Sequence, residues 1–413
     1  MRVLLRHSRA GGLAVAFLLT MTTGMAGQVP APVPAPRKGP QFPDVVTLAF
    51  PTQPQVFETL EGSIRVVPFA AGLVDPWSLT FLPNGDILVT QKAGQLRIVR
   101  GGKLDPKPIA GPPPVSTNGQ GGLFDVVLHP KYAENKILYL AYAKPGERGA
   151  ATALSRGRFD GTTLSDVKEI FVAENWGPGR PHFGGKIAFG PDGMLYLSTG
   201  ERGEREKAQD PSLHHGVILR LRDDGSVPPE NPFAGVAGTR PEIYTRGHRN
   251  VQGLAFDAAG VLWANEHGPQ GGDELNRIVP GKNYGWPLVT LGREYSGEAI
   301  PQRRGTVEIE DPVVAWLPSI GISGLVIYTG DKFPMWKGNA FVGGLSGQHI
   351  QRVGFNDRGP VGRETLLGQL SLRVRDLRQG PDGLLYVAVD GKPSGLLRIE
   401  PGPAKSTAVT PPK

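Results

Sequence analysis

The chain repeats one hydrophobic pattern several times along its length. An apolar run ends in a turn built on Pro, Asp, Asn or Gly, and a second run follows in which apolar and polar residues alternate. Alternation with a period of two around turn residues is typical of antiparallel strand pairs. The clearest copies begin at Leu79, Val126, Ile187, Leu254 and Leu377, and a degenerate copy runs from Leu325 to Leu345.

The spacing of these copies indicates the architecture. Most consecutive copies lie about 45 to 70 residues apart, which is the spacing of propeller blades and too long for the hairpins of a sandwich. We therefore predict an all-β fold, a six-bladed β-propeller of four-stranded antiparallel blades, in residues 51–403. A two-domain sandwich is the alternative. In a propeller, residues next to the repeated strands are expected to meet at one mouth of the central channel.

Composition agrees with a β protein and excludes some chemistry. The 413 residues include 58 Gly and 40 Pro without a collagen period, which argues against a coiled coil or helical bundle. There are no cysteines, so disulfides, thiolate metal sites and cysteine nucleophiles are excluded. The net charge is +7, but the basic residues are scattered, and no nucleic-acid partner is indicated.

Both ends of the chain differ from the repeated region. Residues 1–27 have a basic start, a short apolar centre and small residues near Ala26, which is typical of a secretory signal peptide. The apolar run is too short to cross a bilayer comfortably, so we expect no integral membrane span and a periplasmic or secreted protein. Residues 28–50 are predicted to be a proline-rich linker, and residues 404–413 a flexible tail.

Three groups of polar residues stand beside the blade strands. His182 is followed by two glycines that allow close backbone approach, although a lone histidine is more often structural. Arg373 and Arg375 alternate along a strand and so share a face, which suits a ligand carboxylate between them. The segment "HGPQGGDE" with "NYGWP" offers oxygen ligands for a hard cation such as calcium, or forms a plain acidic turn.

Taken in order, the motifs of the chain resemble one known family, over roughly residues 62 to 401. It is similar to the soluble sugar dehydrogenases that depend on pyrroloquinoline quinone (PQQ), the glucose/sorbosone dehydrogenase family, and most of all to the periplasmic aldose sugar dehydrogenase branch. The motifs are "PWSLTFLPNGDILVT", "GQGGLFDVVLHP", "HFGGKIAFGPDG", "IYTRGHRNVQGLAF", "EHGPQGGDELN", "NYGWP" and "RVRDLRQGPDG". The resemblance implies a six-bladed propeller with the quinone over the channel mouth, and oxidation of aldoses at the anomeric carbon to lactones.

The resemblance also implies roles for individual residues. His182 matches the general base, and Arg249 with Asn250 matches the pair that contacts the reactive carbonyls of the quinone. Gln120 matches a polar residue of the sugar and cofactor pocket, and Arg373 with Arg375 matches the pair that binds cofactor carboxylates.

Calcium is the second implied cofactor. Gly268 and Pro269 match backbone carbonyls that hold a calcium against the quinone. Asp273, Glu274 and Tyr284 match positions that bind a second, structural calcium.

Two positions depart from the glucose-specific members. Ser346 stands where those members carry a cofactor-binding lysine, and Arg202 aligns with a glutamine. We therefore expect Arg202 to supply the missing cation and to bind the cofactor.

Two other classes of function stay open from the sequence. A calcium-dependent propeller lactonase would need a metal ringed by side chains such as Asn250, Asn265 and Glu266, and would leave the paired arginines without a role. A non-enzymatic propeller that binds carbohydrate or protein is the other alternative. The preferred sugar and the external electron acceptor, a quinone or a cytochrome, cannot be read from the residues.

Overall fold

The computed structural model describes residues 50–179, 181–392 and 394–403. The predicted signal peptide, the predicted linker up to residue 49 and the predicted C-terminal tail lie outside the described residues, so those assignments stay predictions. None of the helices in the described ranges has the length and apolar character needed to cross a bilayer.

The regular secondary structure of the described ranges is almost entirely β, with one short α-helix (Tyr132–Asn135) and three short 3₁₀ helices, Arg205–Gln209, Pro334–Trp336 and Gly368–Leu370. The strands, in chain order, are β1 (Gln55–Thr59), β2 (Gly62–Leu73), β3 (Pro76–Phe81), β4 (Ile87–Gln91), β5 (Gln95–Arg100), β6 (Lys103–Leu104), β7 (Leu123–Leu128), β8 (Ile137–Gly146), β9 (Gly149–Phe159), β10 (Leu164–Val172), β11 (Gly184–Phe189), β12 (Leu195–Thr199), β13 (Val217–Leu221), β14 (Ile243–Arg246), β15 (Val251–Phe256), β16 (Leu262–Glu266), β17 (Asp273–Arg277), β18 (Val314–Trp316), β19 (Ile322–Ile327), β20 (Ala340–Gly344), β21 (Ile350–Asn356), β22 (Gly359–Leu366), β23 (Arg373–Gln379), β24 (Leu385–Asp390) and β25 (Ser394–Pro401).

These strands form six antiparallel sheets. Blades one to five are β3–β6, β7–β10, β11–β14, β15–β18 and β19–β22. Blade six combines β23, β24 and β25 with β2 from the other end of the described chain, and β1 adds an outer fifth strand. The first strand of each blade packs against the first strand of the next, and β23 packs against β3, so the ring closes. The predicted six-bladed propeller is confirmed.

The sequence repeat accounts for this architecture. Each predicted copy forms the first two strands of one blade, as at Ile187, where β11 and β12 flank a turn closed by a hydrogen bond from the Gly190 amide to the Met194 carbonyl. Apolar residues that alternate along these strands pack between neighbouring blades, where they form the separate hydrophobic clusters of the core. Closure of the ring leaves few exposed strand edges.

Charged side chains, rather than apolar ones, join the inner strands across the channel. Lys186 on β11 lies 2.7 Å from Asp376 on β23 and 3.7 Å from Asp125 on β7. Arg378 bonds to the same two carboxylates, at 2.7 Å to Asp125 and 3.1 Å to Asp376. We call these four residues the channel network. Because they come from three blades, they tie together the strands that carry the site described below.

Candidate active site

A cavity of about 350 Å³ opens where the inner strands begin. Its lining includes residues at or near the starts of β3, β7, β11, β15 and β23, so all these blades contribute the same end of their inner strand. This volume is within the range of small-molecule sites. We call it the site cavity; it is lined by Asp75, Pro76, Trp77, Lys92, Gln120, Phe124, Phe183, Gly184, Asn250, Gln252, His267, Leu345, Arg373, Arg375 and Asp390.

His182 stands at the edge of this cavity, directly before the lining residues Phe183 and Gly184. Its backbone has a φ of 55°, an uncommon conformation for a residue other than glycine that is often found at functional sites. Gln120 helps to hold it there, because the Gln120 side-chain oxygen accepts a hydrogen bond of 2.8 Å from the His182 amide. The glycine at position 200 is also needed, since a Cβ there would lie 2.1 Å from the His182 carbonyl oxygen.

The His182 ring is oriented by a carboxylate. Its Nδ1 contacts Oε1 of Glu201, a residue that is 2 % exposed. With Nδ1–H donating to this carboxylate, Nε2 carries the lone pair that can accept a proton. Burial lowers the pKa of His182, and Arg249 adds to this, while the hydrogen bond that Glu201 accepts from the ring opposes it. The imidazole is therefore neutral near pH 7, as a general base requires.

Arg373 and Arg375 both line the site cavity, as their shared face predicts. The structure also gives this pair an acidic neighbour that was not predicted. Asp390, opposite Arg373 on β24, lies 3.2 Å from Arg373 and 3.7 Å from Arg375. Burial lowers the pKa of Arg375 and Asp390 opposes this. One carboxylate therefore already balances part of the charge of the arginine pair.

Asn250 and Arg249 lie on adjacent positions with different contacts. Asn250 lines the site cavity, and its side-chain oxygen accepts a hydrogen bond of 3.0 Å from the Gly184 amide. Arg249 points towards the loop that follows β16, where its guanidinium donates to the Gly268 carbonyl at 3.0 Å and contacts the Tyr295 hydroxyl at 3.4 Å. The guanidinium also lies over the Trp286 ring, 5.3 Å from its centroid. Arg249 is thus beside the cavity and is not part of its lining.

Arg202 is not brought to the site cavity. Its guanidinium donates to the Gly179 carbonyl at 2.7 Å and contacts the Pro181 carbonyl, and it lies 3.3 Å from the centroid of the Phe183 ring. The residue is 1 % exposed, and burial lowers its pKa to about 10. These contacts stabilise the loop that carries His182. The structure therefore gives no support to the expectation that Arg202 binds the cofactor.

The residues predicted to hold calcium fall into two groups. Both oxygens of the Asp273 carboxylate are engaged by backbone amides, Gly268 at 2.9 Å on one side and Ile320 and Ile322 at 2.9 Å on the other. The Tyr284 hydroxyl donates to the Arg277 carbonyl at 2.7 Å. In this structure the side chains of Asp273 and Tyr284 therefore stabilise nearby backbone segments by hydrogen bonds.

Glu274 faces a second, very small cavity of about 10 Å³, which Gly268 and Glu266 also line. This is room for about one water or one ion. Burial, with the nearby carboxylate of Glu266, raises the pKa of Glu274 to about 8. Arg249 also lines this cavity, and Glu266 contacts His248 at 2.7 Å. The oxygens of the two carboxylates are nevertheless of the kind that suits a hard metal ion. Within the described residues, no group of three or more acidic or histidine side chains converges as a metal site.

Several site residues were missed by the sequence reasoning. Glu201 contacts His182 and Asp390 pairs with Arg373, and both of these partners were predicted site residues. Lys92 lines the site cavity and was not predicted. Tyr295 is a 69 % exposed aromatic beside Arg249. The only sequence signal was positional, since Glu201, Asp390 and Lys92 each lie at or just after the end of the second strand of a repeated copy. Tyr295 lies in a loop outside the repeat and gives no such signal.

The chain is a six-bladed propeller. At one mouth of its channel lie a buried histidine–carboxylate pair and two neighbouring arginines. The sequence family described as "Glucose / Sorbosone dehydrogenase" matches residues 73–398, and the chain belongs to this family.

Relatives in this family support the assignment. The aldose sugar dehydrogenase YliI of Escherichia coli K12 is 40 % identical over 347 residues, which cover 82 % of this chain and 94 % of that protein. A solved structure of a glucose dehydrogenase is 43 % identical, with a TM-score of 0.78, covering 81 % of this chain and 98 % of that one. The PQQ-bound aldose sugar dehydrogenase of Streptomyces coelicolor is 30 % identical, with a TM-score of 0.68, covering 85 % and 99 %.

Proposed function

We propose that this protein is a PQQ- and calcium-dependent dehydrogenase that oxidises aldose sugars at the anomeric carbon to lactones. The observation that carries the proposal is the neutral His182, oriented by Glu201, at the edge of a cavity whose other side holds Arg373 and Arg375. The relatives named as aldose sugar and glucose dehydrogenases, one of them solved with PQQ, support the same reaction.

The proton of the sugar is the part of the reaction that this chain handles. The anomeric hydroxyl donates its proton to Nε2 of His182 as the carbon–oxygen bond becomes a carbonyl. PQQ, when bound, supplies the acceptor for the hydride that leaves the same carbon. Glu201 keeps the imidazole in the right tautomer and stabilises its protonated form. Arg249 offers a fixed positive charge beside the reacting groups.

The site cavity suits the cofactor in charge and shape. PQQ is a flat tricarboxylate, and the cavity brings aromatic side chains, Trp77 and Phe183 among them, together with cationic ones. Arg373 and Arg375 are the residues that would hold its carboxylates, as planar guanidinium groups do well. Gln120 and Asn250, which are also in the lining, offer amide groups for the remaining oxygens.

Tyr295 is proposed to support the sugar. The residue is 69 % exposed, and the two residues before it are anchored, Arg293 by pairing with Gln270 and Glu294 by an ion pair of 2.5 Å with Arg205. An exposed but fixed aromatic ring next to Arg249 gives an apolar face on which a pyranose ring can lie. The loop therefore contributes to substrate binding in this proposal.

Calcium is proposed at the carbonyls of Gly268 and Pro269, and at Glu274 with Tyr284. The Gly268 carbonyl already accepts from a cation, the guanidinium of Arg249, so its surroundings favour positive charge. A calcium at this carbonyl would replace that contact and leave Arg249 to face the site cavity. Calcium there would act as a Lewis acid on the cofactor.

The decisive experiment reconstitutes the purified protein with PQQ and calcium and follows dye reduction across a panel of sugars. We expect aldose oxidation, and a loss of turnover of about 10²- to 10⁴-fold in His182→Ala with PQQ affinity nearly intact, the usual range for a positioned base. Calcium titrations with and without PQQ should show that each tightens the other by the same factor. Lactone hydrolysis by the calcium-loaded protein without PQQ, or turnover of His182→Ala within a few fold of the wild type, would refute the proposal.

Export to the periplasm or beyond, and passage of electrons to an external quinone or cytochrome, complete the proposal. The basic and apolar start of the chain supports export. Fractionation of cells that express the full chain would test it.

A further inference from the structure

The charge balance of the site cavity points to one more binding residue. The cavity lining holds three cations, Lys92, Arg373 and Arg375, and two carboxylates, Asp75 and Asp390. Because Asp390 lies within 4 Å of both arginines, their combined charge towards a ligand is reduced. A tricarboxylate in this cavity therefore needs a cation from another part of the lining.

Lys92 is fixed at the turn between β4 and β5, in blade one. Its amide donates to the Asp75 carbonyl at 3.0 Å, and its carbonyl accepts from the Leu123 amide at 3.2 Å. Gly122 leaves room for its stem, since a Cβ at that position would lie 2.8 Å from the Lys92 Cγ and 2.4 Å from its carbonyl oxygen. The backbone of two neighbouring segments thus sets the direction of this side chain.

The ammonium group of Lys92 has donors to spare. It donates one hydrogen bond of 2.7 Å to the Gly119 carbonyl, next to Gln120. Among the described residues no carboxylate pairs with it, in contrast to Lys186 and Lys144, which each contact an acidic side chain. An ammonium carries three N–H donors, so hydrogen bonds towards the cavity remain available.

We propose that Lys92 binds a carboxylate of PQQ from the blade-one side of the cavity, next to blade six, which carries the arginine pair. The inference rests on the proposed function. It gives Lys92 the place that the sequence suggested for Arg202, whose guanidinium is committed to backbone carbonyls.

The first test is an equilibrium titration of the apo-protein with PQQ in calcium buffer, followed by quenching of protein fluorescence. Lys92→Met keeps the apolar stem and removes the charge, and we expect it to weaken PQQ binding about ten- to hundredfold, as loss of one charged hydrogen bond does. Lys92→Arg should stay close to the wild type. Lys103→Met, an exposed lysine on β6 of the same blade, is the matched control and should leave affinity unchanged.

The second test uses the unmodified chain, and so does not depend on the folding of a variant. Acetylation of lysines, read by mass spectrometry, should be slowed at Lys92 by PQQ and unaffected at Lys103. If the wild type binds PQQ but Lys92→Met binds equally well, or if PQQ does not protect Lys92, the inference is wrong while the proposed function stands. If the wild type binds no PQQ, the proposed function itself fails.

Discussion

Replacing Lys186 by methionine should strongly destabilise the propeller. Its ammonium is 1 % exposed and contacts Asp376 at 2.7 Å and Asp125 at 3.7 Å. The channel network contains two cations and two carboxylates, so the substitution leaves one buried negative charge without a balancing partner. The ammonium also lies 5.1 Å from the centroid of the Trp77 ring, a favourable contact that is lost as well.

The magnitude follows from the remaining contacts. Removing one partner of a buried ion pair costs about 3–5 kcal/mol, because the other charge stays buried. Arg378 still bonds to both carboxylates, at 2.7 and 3.1 Å, so we expect a loss near the lower end, about 3 kcal/mol. Lys144→Met is the matched control. That lysine pairs with Glu169 at the surface, with 34 % of its side chain exposed, and its loss should cost less than about 1 kcal/mol.

The assay is urea unfolding followed by tryptophan fluorescence. The unfolding free energies of wild type and variants are compared using the same m-value, the slope of free energy against urea concentration. The double variant Lys186→Met with Asp376→Asn restores the charge balance and should recover part of the loss. A single variant within 1 kcal/mol of the wild type, or a double variant less stable than the single one, would refute the reasoning.

The same substitution should change the dependence of stability on pH. Burial raises the pKa of Asp376, but Arg378 and Lys186 outweigh burial and hold it below its usual value. A carboxyl with a lowered folded pKa stabilises the protein above its unfolded pKa, and this contribution is lost as the pH falls. Removing Lys186 lets the folded pKa rise. The gap between wild type and variant should therefore be widest above about pH 5 and narrow in acid.

The remaining predictions concern the site. Replacing both Arg373 and Arg375 by Gln removes two charged hydrogen bonds, so it should weaken PQQ binding by about 3 kcal/mol with little change in the saturated rate. Asp390→Asn should instead tighten PQQ binding. A titration with PQQ measures both effects, and unchanged affinity in both variants would contradict the assignment. Tyr295→Ala should raise KM for sugars about fivefold, from roughly 40 Å² of lost apolar contact, with Tyr295→Phe near the wild type; an effect on kcat alone would exclude a binding role. Glu201→Gln should lower kcat/KM about 10²-fold or more and move the acid limb of its pH profile to lower pH, because the carboxylate opposes the lowered pKa of the histidine base; a limb at unchanged pH would show that the pair is not the titrating unit.

The fold could be predicted because its signal is local and repeated. Strand alternation and the turn after each inner strand are properties of about fifteen consecutive residues, and six copies at a blade-like spacing leave few other architectures. The same logic correctly indicated which end of each strand matters, because all inner strands open on one mouth. Arg373 and Arg375 line the cavity, as their position beside a repeated strand predicts, and so do Gln120 and Asn250, which the family resemblance assigned to the site.

The partners of these residues could not be predicted from the sequence, for a physical reason. A strand pattern shows which face a side chain takes, but the neutralising or orienting group comes from another strand, and the pairing register is not written in either segment. Asp390 on β24 meets Arg373 on the neighbouring β23, and Lys92 reaches the same cavity from blade one.

Glu201 and Arg202 show that adjacent residues can have entirely different roles. They are adjacent and both charged, and Arg202 was the residue predicted to bind the cofactor. The structure turns Glu201 towards the His182 ring and Arg202 away from the cavity, into the carbonyls of the loop beneath. Arg202 lies in a turn and has a left-handed backbone with a φ of 61°, so its side chain leaves the chain in a different direction from that of Glu201. A shift of one residue therefore exchanges a site residue for a structural one. The charge that the cavity needs must then come from elsewhere, which is why Lys92, with its ammonium in no carboxylate pair among the described residues, becomes the residue on which cofactor affinity should depend.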